Sequence, residues 1–306
     1  MSDSGATHST TSRLTLVAWS VGFVLLWNSG FIGAEFGLPY SGPFTLLLWR
    51  YLALSAVLGV VVVARGGLRR IPPRRVARVA LVGVLSHGVW LSCVLVPIDR
   101  GVPSGVVALV VALQPLLTGA FSGMVTGEHT EVRQWVGLVI GFAGVVIAVA
   151  GRLTGETPGA SWYYLLPFGS AAAITVASLV QRRAGIRERS EPLSMDVQLL
   201  IQSVATTAAL VGPAIVLESA RTQWVPAYVI SQTWLVLAVS LGAYAIMWLL
   251  LTRASATRVA SLFFLGPPVT MLMAWALFGD SIVFTDVAGF AVAATGILLV
   301  TVRRRA

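Results

Sequence analysis

Two ionisable side chains, Arg50 and His87, stand deep inside long apolar runs of this 306-residue chain. A charge taken out of water is costly, so such residues are rare in apolar segments and mark sites. His87 is about ten residues from either end of its run, near mid-depth at ~1.5 Å per residue. It can hydrogen-bond as a neutral imidazole or carry a proton near neutral pH, which makes it the candidate for proton coupling. Arg50 is seven residues past Pro43, about 10 Å along a helix. Either its side chain snorkels outward to Glu35 or Asp99, or it faces the interior. No carboxylate stands at mid-depth in any run, so an interior guanidinium would draw its partner from a ligand carboxylate or phosphate.

Neutral polar groups stand at similar depth. Asn28, with Trp27 and Phe31 a turn apart, makes a mixed polar and aromatic face; Gln198 and Gln202 share another; Tyr244 and Gln114 stand alone. Each can be an interhelical hydrogen bond or a cavity contact. Pro115 follows Gln114, and Pro267-Pro268 sits at the matching place later in the chain. Proline removes a helix hydrogen bond and opens a kink, so these three prolines are expected as hinges or cavity walls.

Several chemistries are missing. There is no His-Glu-x-x-His motif, no Gly-rich phosphate loop with Lys and no Gly-x-Ser-x-Gly elbow. The single cysteine, Cys93, excludes an internal disulfide and a thiolate metal cluster. No catalytic residues, metal or cofactor are expected, and the chain is not expected to be an enzyme.

What must hold these residues is a set of membrane helices. The chain is 57% hydrophobic and 11% charged, against roughly 25% charged in soluble domains. Ten apolar runs long enough to cross a bilayer can be counted: Leu14–Ile32, Pro43–Ala64, Val76–Val96, Pro103–Val125, Val132–Ala150, Trp162–Val180, Met195–Leu217, Thr233–Leu251, Val259–Phe278 and Val283–Val302. The connections are too short for a soluble catalytic domain. The expected fold is an all-α polytopic membrane protein, with tails at 1–13, expected disordered, and 303–306.

An internal repeat organises the runs. Leu113-Gln-Pro-Leu-Leu-Thr118 returns as Leu265-Gly-Pro-Pro-Val-Thr270, always 152 positions later, and the offset holds through Gly137/Gly289 and Gly144/Gly296. Two units, 14–150 and 162–302, flank a linker at 151–161. Five spans per unit is odd, so the second enters the membrane from the opposite face and the repeats are inverted. That arrangement implies alternating access to a central site for a small-molecule substrate.

The net charge of +9 consists wholly of arginine, and its distribution argues against a nucleic-acid partner. Alternate connections hold 17 arginines and the opposite ones 3, which puts both termini in the cytoplasm of a cell (inner) membrane protein in contact with the lipid bilayer. Gly119, Gly123 and Gly127, and then Gly137 and Gly141, form small-residue stripes that suit packing within the chain or a homodimer. Trp90, Trp135, Trp162, Trp224 and Trp234 read as interfacial anchors.

The chain resembles the EamA-type transporters of the drug/metabolite transporter superfamily. The resemblance rests on Trp27-Asn-Ser-Gly-Phe-Ile-Gly33, Pro43-Phe-Thr-Leu-Leu-Leu-Trp-Arg50, Ser86-His87-Gly88, Arg100-Gly-Val-Pro103, Ala112-Leu-Gln-Pro-Leu-Leu-Thr118 with Gly127-Glu128, and Ser261 to Thr270 with Gly279-Asp280. Asp280 stands where the family more often has Glu. The resemblance implies ten helices in inverted five-helix repeats, and a carrier of amino acids or related polar metabolites, commonly an exporter. By analogy, Trp27, Asn28, Arg50, His87, Gln114 and Pro267 would line or shape its cavity. The alternatives are an importer, a nucleotide-sugar-type exchanger or, in a different class, an intramembrane enzyme or lipid-handling protein.

Overall fold

The computed structural model describes residues 4–66, 70–126, 132–153, 161–187, 193–253, 259 and 261–301. Apart from an isolated bridge between Ser41 and Thr222, the described secondary structure is helical. The chain runs α1 (Ser4–Gly37), α2 (Pro43–Ala64), α3 (Pro73–Gly83), α4 (Trp90–Asp99), α5 (Ser104–Val111), α6 (Gln114–Thr126), α7 (Val132–Leu153), α8 (Leu166–Arg187), α9 (Met195–Glu218), α10 (Pro226–Thr233), α11 (Tyr244–Arg253), α12 (Gly266–Phe278) and α13 (Phe284–Thr301). Seven helical segments are long and apolar enough to cross a membrane; Trp135–Gly151 and Phe263–Phe278 are shorter apolar helices. Residues 4–13, expected as a disordered tail, continue α1. The 151–161 linker begins inside α7 and ends in a 3-10 turn, and its middle, like the 303–306 tail, lies outside the described residues.

The three candidate prolines, Pro115, Pro267 and Pro268, each stand in the first turn of a helix, just after a break in the span. The chain turns at Ala112-Leu113, and α6 begins at Gln114 with Pro115 next. In the second unit a 3-10 turn, Phe263–Leu265, precedes α12, whose first turn holds Pro267 and Pro268. Proline suits a first turn because the N–H it lacks has no helical acceptor there. The two helix starts, Gln114 and Gly266, are again 152 positions apart.

Two spans widen in the middle. Val84–Val89, between α3 and α4, and Trp234–Ala243, between α10 and α11, are π-helical. Such turns carry one extra residue per hydrogen-bonded ring and gather at functional sites.

Packing pairs elements across the two units. α2 lies on α9, α7 on α13 and α5 on α12; α1 meets the Trp234–Ala243 turn, while α8 meets α4 and the Val84–Val89 turn. Glycines allow the closest approaches. A side chain at Gly144 would collide with the Ala293 backbone and come within 2.5 Å of Gly289 O; one at Gly296 would come within 2.5 Å of Gly137 O and 2.6 Å of Gly141 N. The later residue of α7 meets the earlier residue of α13, so the two helices run antiparallel. The Gly137/Gly141 stripe is thereby taken up inside the chain.

Candidate functional site

Most of the candidate side chains converge on two adjoining cavities. The inner void, about 50 Å³, is bounded by Arg50 and Tyr51 from α2, His87 from the first π turn, Trp90 from α4 and Tyr244 from α11. The larger cavity, about 510 Å³, is lined by Asn28, Gln114, Pro115, Thr118, Phe263 and Pro267, with exposed Arg182 on its wall. Trp27, Phe31 and Trp90 line both and stand between them.

Arg50 does not snorkel. It is 6% exposed, and its Nε and Nη2 donate to Ser240 Oγ at 3.1 and 2.9 Å. Ser240 belongs to the second π turn, so the guanidinium is held across the two units. The guanidinium carbon lies 5.7 Å from the centre of the Tyr51 ring. Neither acid weighed as its partner reaches it, and Asp99 instead faces Arg100 at 3.5 Å.

His87 is buried, with Nε2 3.2 Å from Gln202 Oε1. The neighbouring span makes this contact possible. A Cβ at Gly83 would lie 2.5 Å from Gln202 Cα, so the bare backbone lets α9 close on α3 one turn before the histidine. The His87 ring centre is 5.4 Å from that of Tyr51 and 6.4 Å from that of Tyr244, and the Trp27 ring, tilted by 55°, has its centre 5.4 Å from that of Tyr244.

In the larger cavity Asn28 bridges α1 to α12. Its Nδ2 donates to Val24 O at 2.7 Å, and its Oδ1 accepts from Thr270 Oγ1 at 3.1 Å. Gln114 Nε2 donates to Thr118 Oγ1 at 3.0 Å. Thr118 and Thr270 are repeat mates. Pro268 is not among the residues lining either cavity.

Tyr51, Thr118 and Phe263 join the candidates as lining residues, and two further contributors also escaped the reading of the sequence. Trp90 is not an interfacial anchor: it is 9% exposed and lines both cavities. Ser240 sits in an unremarkable apolar run, but the 152-residue offset places it opposite Gly88, next to His87, and following the repeat into the second unit would have found it.

Among the described residues no cluster of His, Cys, Asp or Glu could hold a metal ion. With two guanidiniums, buried Arg50 and exposed Arg182, one imidazole, hydroxyls and aromatic faces, the arrangement can bind and orient a small molecule. It offers no nucleophile paired with a base.

Residues 14–150 match the EamA-like transporter family. The inner membrane transporter YedA of Escherichia coli (strain K12) is 32% identical over 190 residues, which span 59% of this chain and 59% of that protein. The transporter YvbV of Bacillus subtilis (strain 168) is 26% identical, covering 92% of this chain and 90% of its own length. A Salmonella typhimurium protein named "Probable amino-acid metabolite efflux pump" is 23% identical over 90% of this chain and 91% of its own. A solved crystal structure shares the fold with a TM-score of 0.65 at 20% identity, covering 96% of this chain and all of the other. The first unit of the chain, residues 14–150, is thus similar to the EamA-like transporter family, and relatives matched over about nine tenths of the chain are named as transporters or efflux pumps.

Proposed function

We propose that the chain is a carrier that moves small polar metabolites, amino acids or related compounds, outward across the inner membrane by alternating access. One observation supports this most. The two π turns flank one void: His87 of the first and Val239 of the second line it, and Ser240, next to Val239, holds Arg50 from the other unit. A site walled by helices of both structurally repeated units is what alternating access opens first to one side and then to the other. The antiparallel run of α7 and α13, the paired helix starts at Gln114 and Gly266 and the cross-unit packing support a ten-helix inverted repeat. The arginine bias puts both termini, and the Arg182 end of the larger cavity, on the cytoplasmic side. The substrate class and outward direction follow the efflux pump among the relatives.

In this reading Gln114 contacts substrate and His87 carries any proton coupling. Purified protein in liposomes is expected to move a radiolabelled amino acid. Gln114→Ala should lower the flux roughly two- to tenfold, the worth of one neutral hydrogen bond. A pH gradient should accelerate the wild type but not His87→Gln. Unchanged flux in Gln114→Ala would remove it from the path, and acceleration retained in His87→Gln would remove His87 from coupling. A comparison of metabolites in the medium of overexpressing and deletion cells tests direction: a compound depleted from the medium by overexpression would make the carrier an importer.

A further inference from the structure

Arg50 lacks something the protein does not supply. A guanidinium carries five N–H donors. Two of them, on Nε and Nη2, are spent on a single neutral oxygen, Ser240 Oγ. Among the described residues no carboxylate lies within ion-pair distance of Arg50, and none of the residues lining the void beside it is acidic. Breaking or omitting one partner of a buried ion pair is strongly unfavourable, because the remaining charge has no compensation. Water can take the free N–H groups but cannot neutralise the charge, and the Tyr51 ring offers only the negative face of a quadrupole. Of the other polar groups of the void, the hydroxyls of Tyr51 and Tyr244 and the indole N–H of Trp90, which is buried without an acceptor, can donate, and His87, whose Nε2 faces Gln202 Oε1, supplies no negative charge.

We infer that the inner void is a carboxylate receptor, in which Arg50 pairs with the acid group of the transported molecule while the rest of that molecule lies along Trp27 and Phe31 in the larger cavity. The sizes agree. About 50 Å³ is room for a group of a few heavy atoms, whereas about 510 Å³ holds a small organic body. The complementary group is missing: the residues lining the larger cavity include no Asp or Glu to pair with an ammonium. Recognition therefore rests on the acid. An amino acid and the same compound without its amino group should bind alike, whereas the primary amide and the decarboxylated amine should be rejected. This rests on the transport reading above for the word "transported", but not for the receptor itself.

The probes are phenylalanine, 3-phenylpropionate, phenylalaninamide and phenethylamine, with sodium chloride and sodium phosphate as inorganic anions. Binding to the purified full chain in detergent is read from tryptophan fluorescence and from the shift in melting temperature, and flux is read in liposomes. The wild type should bind the two acids within about threefold of each other and the amide and amine at least about tenfold more weakly, as the loss of a charge-assisted pair requires. Arg50→Gln should abolish that preference. Ser240→Ala keeps the charge but loosens its orientation, so it should weaken acid binding by a smaller factor; it serves as the test if Arg50→Gln does not fold. Equal binding of acid and amide, a strict requirement for the ammonium, or protection by chloride or phosphate equal to that by the acids would each overturn the receptor. Acid binding through Arg50 without flux would leave the receptor standing and overturn transport. Flux indifferent to Arg50→Gln would do the reverse.

Discussion

Glu218, the last residue of α9, accepts hydrogen bonds from two backbone nitrogens of another helix: Phe44 N at 3.0 Å on Oε1 and Thr45 N at 2.7 Å on Oε2. These are free N–H groups in the first turn of α2, where Pro43 has no N–H to offer and the capping residue, Gly42, has no side chain to cap with. The bare glycine also leaves the space the carboxylate occupies; any side chain there would collide with Glu218. Charge-assisted bonds to a helix N-terminus are among the stronger single contacts in a protein. Glu218→Ala should destabilise the protein by about 2 kcal/mol, and Glu218→Gln, which keeps one acceptor oxygen, by about half as much. Thermal unfolding in detergent checks both. Equal melting of Glu218→Ala and wild type would mean that these N–H groups find other partners. Nothing in the sequence pairs Glu218 with Gly42 and Pro43, because their meeting depends on which helices are neighbours. The depth of His87 and Arg50, by contrast, could be counted along the chain.

At the scale of the helix, glycine has opposite consequences at different places. Gly144 of α7 lies against the Ala293 backbone of α13, whereas Gly59 of α2 has nothing within 4 Å of where a Cβ would stand. Gly144→Ala should therefore separate two helices and cost about 1–3 kcal/mol, the range for overpacking. Gly59→Ala should stabilise by up to about 1 kcal/mol through helix propensity alone. Melting temperatures of the two variants should move in opposite directions; a Gly144→Ala protein as stable as wild type would show that α7 and α13 have room to part. The same contrast governs how far these elements could be read from sequence. The breaks before Gln114 and Gly266 are written in local chemistry, because proline constrains its own turn. The π turns at Val84–Val89 and Trp234–Ala243 are not: they hold no proline, and the extra residue in each ring answers to the helices packed around it. Ser240 and Trp90 stayed hidden for that reason, one carried on a π turn and the other just after one.

At the scale of the molecule, the proposed alternating access requires some contacts to break and others to persist, and the bonds that join α2 and α9 with the residues flanking them are expected to be of the second kind. Besides Glu218, Ser41 and Thr222 form an antiparallel bridge, Trp49 Nε1 donates to Thr222 Oγ1 at 3.1 Å and Gln223 N donates to Tyr40 O at 2.9 Å. At the opposite end Arg65 faces Asp196 at 3.8 Å, a weak exposed pair in the same register. The states of a transporter differ by only a few kcal/mol, so a joint of this many hydrogen bonds, one pair of them charge-assisted, is too strong to open on every cycle. The contact of α1 with the Trp234–Ala243 turn, mainly of glycines against apolar side chains with one neutral hydrogen bond from Trp234 Nε1 to Ser29 Oγ, exchanges at lower cost. In the proposed carrier α2 and α9 are therefore expected to move as one body although they come from different units, with the opening away from Arg182 forming elsewhere. In a Cys93→Ser background, Ser41→Cys with Thr222→Cys should form a disulfide, since the two hydroxyls are 3.4 Å apart. The cross-linked protein should keep at least about half of the flux of its reduced form in liposomes, because the bond locks a joint that does not open. Loss of flux on oxidation, restored by reductant, would place the opening between α2 and α9 and make the Glu218 network a gate.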